Sequence, residues 1–224
     1  PNDIVKILKS GEFSGALPPT KELPLHQAFY ETRGLKSGAV VHLHSTHSVA
    51  LSMLPDIDED NVLPSYTPYS IMLLGKVKLL PFFVPGDPAM GDAIRGLAGK
   101  RSAVLLANHG PVVSGKDLEA SVNAIEELEA TAKLSLILKG MNVRGLSDNQ
   151  ISAIINKFNV DWAIRKVMQF KFGQDLKRSS INAKKELAEG LSLDFAEYSK
   201  ALLEQKECIA EFYQLFDDYD FILS

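Results

Sequence analysis

The 224-residue chain has little sulfur chemistry to offer. It holds one cysteine, Cys208, so no disulfide can form within it, and a lone thiol fits a reducing compartment. Cys208 lies in LLEQKECIAEF, where it reads as a small packed side chain of a helix. Long apolar runs are missing too. Nothing approaches the roughly 18 residues of a membrane span, and the N-terminus lacks the charged-then-apolar pattern of a secretion signal. There is no excess of positive charge: 24 Lys and Arg stand against 28 Asp and Glu, for a net charge of −4. A nucleic-acid binder would show a basic footprint. Internal repeats and low-complexity tracts are absent. These absences together describe a cytoplasmic protein that engages neither membrane nor nucleic acid. The chain also begins at Pro1 without an initiator methionine, which reads as processing or as a piece of a longer chain.

What is present is enough for a large core. Hydrophobic residues make up 46%, and a chain of this length needs neither disulfide nor structural metal to fold. A metal site in it would therefore serve chemistry. Residues 1–20 read as a strand remnant and loop, followed by a helix over LPLHQAFYETR to about Arg33 and a turn at 34–38. GAVVHLH alternates like a strand, and Thr46 is placed to cap the short helix after it. Residues 55–65 read as an acidic surface loop. YTPYSIMLLG fits helix or strand, and KVKLLPFFVPG a strand ended by proline and glycine. Asp87 and Pro88 start a helix toward Lys100, with proline at the favoured first position. SAVLLANHG is a strand running into a turn. A long amphipathic helix, LEASVNAIEELEATAKLSLIL, follows GKD. This alternation predicts an α/β fold with a mixed sheet covered by helices on both faces. Ser147 starts a further helix. Beyond about residue 160 the pattern is helical and highly charged, so the expected division is 1–160 and 161–224.

Three of the five histidines, His42, His44 and His47, fall within six residues. His42 and His44 are two apart in an expected strand, so both point to one face. Two such imidazoles can share a metal at about 2.0–2.1 Å. His109 ends the other strong strand, at the edge where open α/β sheets bind ligands. Three imidazoles with open positions left for substrate describe a catalytic site, not a closed structural one. Glu22 stands at the start of the first helix. A carboxylate there either favours the helix dipole or, near a metal, acts as ligand or proton carrier. His26 shares its helical face and either orients Glu22 or packs. His47 opens the next helix and is expected to support the site and not to ligate.

PTKELPLHQAFYETRGLKSGAVVHLHSTHSVALSML, YTPYSIMLLGKVKLLPFFVPGDP and AVLLANHGPVVSGKDLEASVNAIEELEATAKLSL together resemble the class II aldolase/adducin family. Residues 18–158 look closest to its 3-oxo-tetronate 4-phosphate decarboxylase branch. The Thr-Lys-Glu before the first helix and the YTPY segment point to that branch. The resemblance implies a class II aldolase-like three-layer α/β/α domain with a helical C-terminal extension. It implies a lyase holding one Zn²⁺ per subunit and acting on a phosphorylated sugar acid, as a homotetramer with active sites at subunit interfaces. Matched residue by residue, His42, His44 and His109 are the zinc ligands. Glu22 is the catalytic carboxylate that also touches the metal, Thr20 and Lys21 help hold substrate phosphate, and Tyr66 or Tyr69 donates a proton from a neighbouring subunit. The implied reaction decarboxylates 3-oxo-tetronate 4-phosphate to dihydroxyacetone phosphate and CO₂ through a metal-bound enediolate. A class II aldolase or 4-epimerase uses the same logic, and a non-catalytic adducin-like or truncated metal-binding domain is the alternative of another class. Family members carry a longer N-terminal portion, with Gly-Asn and Thr-Gly turns that bind phosphate. Only residues 1–17 precede the Pro-Thr-Lys-Glu stretch here, so the metal site is expected to survive and the phosphate site to be lost. The tail, from RSSINAKKELAEG onward, resembles the late helical part of amidase-signature enzymes. It lacks the Gly/Ser-rich catalytic segment, so Ser179 and Ser180 read as polar surface residues. The chain as a whole is expected to be a fusion or fragment.

Overall fold

The structure, a computed structural model, describes residues 4–8, 10, 12–155, 196 and 203. Chain contacts divide it after Ser147. The expected boundary near residue 160, Ser179, Ser180 and Cys208 lie outside the described residues.

In the first unit, a short hairpin, β1 (Lys6–Ile7) and β2 (Phe13–Ser14), precedes the main sheet. The sheet has four strands: β3 (Ala39–His42), β4 (Lys78–Leu80), β5 (Ala103–Leu106) and β6 (Gly110–Gly115). Their order is β3-β6-β5-β4. The β4–β5 pair is parallel, and β6 runs antiparallel to both β3 and β5. The helices are α1 (Leu23–Arg33), α2 (Thr46–Ser52), α3 (Pro68–Leu73), α4 (Ala89–Gly96) and α5 (Leu118–Ile137). Strand β5, AVLL, is buried throughout, as a strand covered on both faces must be. Its residues alternate between two cores. Ala103 and Leu105 join Val113, Leu51 of α2 and Ile125 and Leu128 of α5. Val104 and Leu106 join Val112, Leu25 and Phe29 of α1 and Met90 and Ile94 of α4. The fold is thus the expected α/β/α sandwich.

Several local expectations are corrected. Strand β3 ends at His42, so His44 lies in the loop that follows. GPVVSG, to which no element was assigned, forms strand β6, paired with β3 on one side and β5 on the other. Within YTPYSIMLLG, residues Pro68–Leu73 form helix α3, capped by Thr67, whose side chain accepts the Ser70 N–H. Helix α4 stops at Gly96, short of Lys100. Pro88 is its capping residue, not its first helical one, and the Asp87 carboxylate accepts the Ala89 N–H at 2.9 Å. The 55–65 loop is not all surface: Val62 and Leu63 are core residues, and the Val62 N–H donates to the Val77 carbonyl. Thr46 does not cap α2. The cap comes from α5, as described below.

In the second unit, residues 148–155 are helical, which agrees with a helix starting after Ser147.

Candidate metal centre

Glu22 is the residue that caps α1, yet its carboxylate makes no bond to its own helix. Its backbone N–H instead donates to Thr20 Oγ1, and the side chain faces the sheet edge. His42 closes β3 opposite Val112. Directly opposed residues share a face, and Val112 packs with α1 and α4. His42 therefore looks toward the layer that carries Glu22. His109 sits in the three-residue connection between β5 and β6, where Asn108 takes φ +58° and the His109 N–H donates to the Leu106 carbonyl. His44, two residues past His42, swings in from the loop.

These four groups converge. Glu22 Oε2 lies 3.1 Å from His42 Nε2, and Oε1 2.8 Å from His109 Nε2. His44 Nε2 is 3.2 Å from His42 Nε2 and 3.1 Å from His109 Nε2. All four donor atoms fall within 4.8 Å of one another. Four ligands held tetrahedrally at 2.0–2.1 Å from one ion would stand about 3.3 Å apart, so the spacing fits a cation of that size. The proton count points the same way. The Pro111 carbonyl, 2.9 Å from His42 Nδ1, accepts only from an N–H, which leaves a lone pair on Nε2 of the neutral ring. Burial pushes His42 below its usual imidazole range. The neighbouring His109 and His44 act in the same direction, and the Pro111 bond and Glu22 resist it. Neutral His42 thus aims a lone pair at a carboxylate and a second imidazole. Such a cluster of acceptors is stabilised by a cation among them.

The loop after His42 is braced from afar. Helix α2 begins with its first N–H groups directed at Glu129 of α5. The His47 N–H donates to Glu129 Oε1 at 2.9 Å and the Ser48 N–H to Oε2 at 2.9 Å. Ser48 Oγ adds a 2.6 Å bond and His47 Nδ1 one of 2.7 Å. Burial opposes ionisation of Glu129, but these four bonds outweigh it and hold the carboxyl down at about 2. At the other end of α2, Ser52 Oγ accepts the Asn108 N–H at 2.9 Å, next to His109. Gly110 closes the arrangement. A Cβ there would collide with the Leu43 carbonyl and crowd the His44 Cα, and its φ of +153° is one that L side chains rarely adopt.

Thr20 and Lys21 are exposed, immediately before Glu22. Tyr69 is 63% exposed on α3, and the Tyr66 ring lies beside Gly145. Among the described residues, no hydrogen bond or ion pair links either tyrosine to the four donors. His26 interacts with Glu22 electrostatically, and burial lowers its pKa. His47 is not a donor to the cluster; it is tied to Glu129. Sequence reasoning passed over Glu129, Ser48 and Ser52. The available signal was an acid beside the apolar stripe of α5 and serines spaced along a helix otherwise built for the core.

Residues 1–136 match the family of class II aldolase and adducin N-terminal domains. The 3-oxo-tetronate 4-phosphate decarboxylase of Escherichia coli (strain K12) is 42% identical over 154 residues, covering 69% of this chain and 72% of that protein. The L-fuculose phosphate aldolase of Haemophilus influenzae is 27% identical over 161 residues, covering 70% and 71%. Among solved structures, YgbL from Escherichia coli superposes with a TM-score of 0.65 at 40% identity, covering 68% of this chain and 73% of that one. The two-core sandwich, the donor cluster and these likenesses agree: the chain belongs to the class II aldolase and adducin family.

Proposed function

We propose that the chain is a metal-dependent carbon–carbon lyase that decarboxylates a 3-oxo-tetronate 4-phosphate to dihydroxyacetone phosphate and CO₂. The observation that carries the reading is the convergence of Glu22 with the Nε2 atoms of His42, His44 and His109. Similarity to 3-oxo-tetronate 4-phosphate decarboxylases over more than two thirds of both chains supports the substrate class. Three imidazoles and one carboxylate suit zinc among the divalent ions, one per subunit. When bound, the ion supplies Lewis acidity that accepts the electrons left by the departing carboxylate.

The chain's own residues do the rest. His42, with Nδ1–H fixed on Pro111, presents Nε2 in one orientation and so holds its share of the site without rearrangement. Glu22 reaches two of the three histidines and is only 14% exposed. A carboxylate so placed is both a ligand and the base that carries the proton at the reacting carbon. Thr20 and Lys21, exposed next to it, are assigned to the substrate phosphate, Lys21 by charge. Tyr69 or Tyr66 is assigned as the proton donor to a neighbouring subunit's site, and Tyr69's exposure on α3 suits that role. This reading carries with it a cytoplasmic homotetramer, and a division into a metal-binding domain at 1–160 and a helical extension at 161–224. No helix among the described residues is long and apolar enough to cross a membrane.

The likeness to L-fuculose phosphate aldolase favours a class II aldolase or 4-epimerase as the second reading. The test is CO₂ release from 3-oxo-tetronate 4-phosphate by the zinc-loaded protein, alongside aldol cleavage of sugar 1-phosphates. CO₂ release that is lost in Glu22→Gln supports the proposal. Aldol cleavage without CO₂ release transfers it to the second reading, and inactivity in both assays leaves a non-catalytic metal-binding domain.

A further inference from the structure

We propose that Glu129, which touches none of the four donors, is a positioning residue for the metal centre and acts through α2. This rests on reading the four donors as a metal centre. The three histidines are held in different ways. The His42 ring is anchored on the Pro111 carbonyl. Among the described residues, the His44 and His109 rings make hydrogen bonds only through Nε2, so their backbones set the ring directions. Those backbones meet at the two ends of one short helix. His44 stands two residues before Thr46, the first residue of α2, and the α2 residue Ser52 accepts the N–H of Asn108, next to His109. An N-terminal helix end exposes N–H groups that a local side chain normally receives. Here Ser45 makes no such bond, and the carboxylate of Glu129, 81 and 82 residues away, takes two of them.

Its two oxygens divide the work, Oε1 with His47 and Oε2 with Ser48. Ser48 is fully buried, so its hydroxyl proton depends on this acceptor. The carboxylate therefore fixes where α2 starts, and with it the path from His42 to His44. Partners that orient metal ligands typically change affinity about 10–100-fold when removed. Glu129 would do so one step further out, by holding the helix that spaces two ligands.

The test uses the full chain, stripped of metal and titrated with zinc against a chromophoric chelator, comparing wild type with Glu129→Gln, Ser48→Ala, Leu128→Ala and His44→Ala. Glutamine keeps the size but offers one acceptor oxygen where two N–H groups need one each. Glu129→Gln should weaken zinc binding by about 10–100-fold, with Ser48→Ala smaller in the same direction. Leu128→Ala, which loosens the same helix without touching the carboxylate, should stay close to wild type. Affinity of the folded protein is a readout that loss of stability alone does not move. Zinc binding by Glu129→Gln equal to wild type overturns the positioning role. If Glu129→Gln does not fold, Ser48→Ala decides, and unchanged affinity there overturns it. Equal zinc binding by wild type and His44→Ala is a separate outcome, which overturns the metal centre itself.

Discussion

Replacing Glu129 with glutamine removes a charge whose folded environment differs greatly from water, and the consequence depends on pH. The carboxyl sits at about 2 in the folded chain against an ordinary value of 4.5. At 1.36 kcal/mol per pK unit, that gap corresponds to about 3 kcal/mol at most. The side chain keeps 26% of its surface exposed and lines an open groove of about 390 Å³ with Leu43, His47 and Lys133. Solvent screening therefore reduces the contribution to about 1–2 kcal/mol. Because the folded value is depressed, the stabilisation is complete above 4.5 and fades as the pH falls toward 2. Urea unfolding of metal-free wild type and Glu129→Gln at pH 7, 5, 4 and 3 measures it. Wild type should lead by about 1–2 kcal/mol at pH 7 and pH 5, and the lead should narrow at pH 4 and again at pH 3. A lead that is constant across the four pH values, or absent at pH 7, refutes the role given to the four hydrogen bonds.

Other substitutions test separate parts of the structure. His44→Ala should abolish stoichiometric zinc in metal analysis of purified protein while leaving the far-ultraviolet circular dichroism unchanged. Gly110→Ala, which forces a Cβ into the Leu43 carbonyl at an unfavourable φ, should cost more than 1 kcal/mol in urea unfolding and also weaken zinc binding. Leu128→Ala empties a fully buried position beneath the sheet and should cost about 2–5 kcal/mol. Asp117→Ala removes the carboxylate that accepts the Ala120 N–H at 2.8 Å and should lower stability by about 1 kcal/mol, with zinc affinity unchanged.

Periodicity and residue chemistry were enough to read most of the sandwich. The run AVLL is apolar because both faces of the sheet are covered, and α1 and α5 carry apolar stripes long enough to read alone. The donor set was legible for a related reason: His42 is tied to a strand, His109 to a strand end, and Glu22 to a helix start, all positions that local sequence marks. What stayed hidden depends on partners distant in sequence. GPVVSG becomes a strand only because β3 and β5 flank it. Strand β3 ends at His42, so the two-residue spacing of His42 and His44 led to the observed cluster through a strand shorter than supposed. The cap of α2 was sought at Thr46, next to the helix, but it comes from Glu129. Local rules have no term for a carboxylate that arrives from the far side of the fold.

The single carbonyl of Pro111 receives both the Leu43 N–H and the His42 ring N–H, so donor geometry and strand register are one and the same alignment. The four donors come from residue 22, from 42 and 44, and from 109, stretches that adjoin only once α1, β3 and the β5–β6 hairpin have assembled. A cation held by all four would need that assembly for full affinity. Such distant pairings form late in folding because their loops are costly to close. On the proposed function, uptake of a spectroscopically visible divalent ion added during refolding would follow the closing of the sheet.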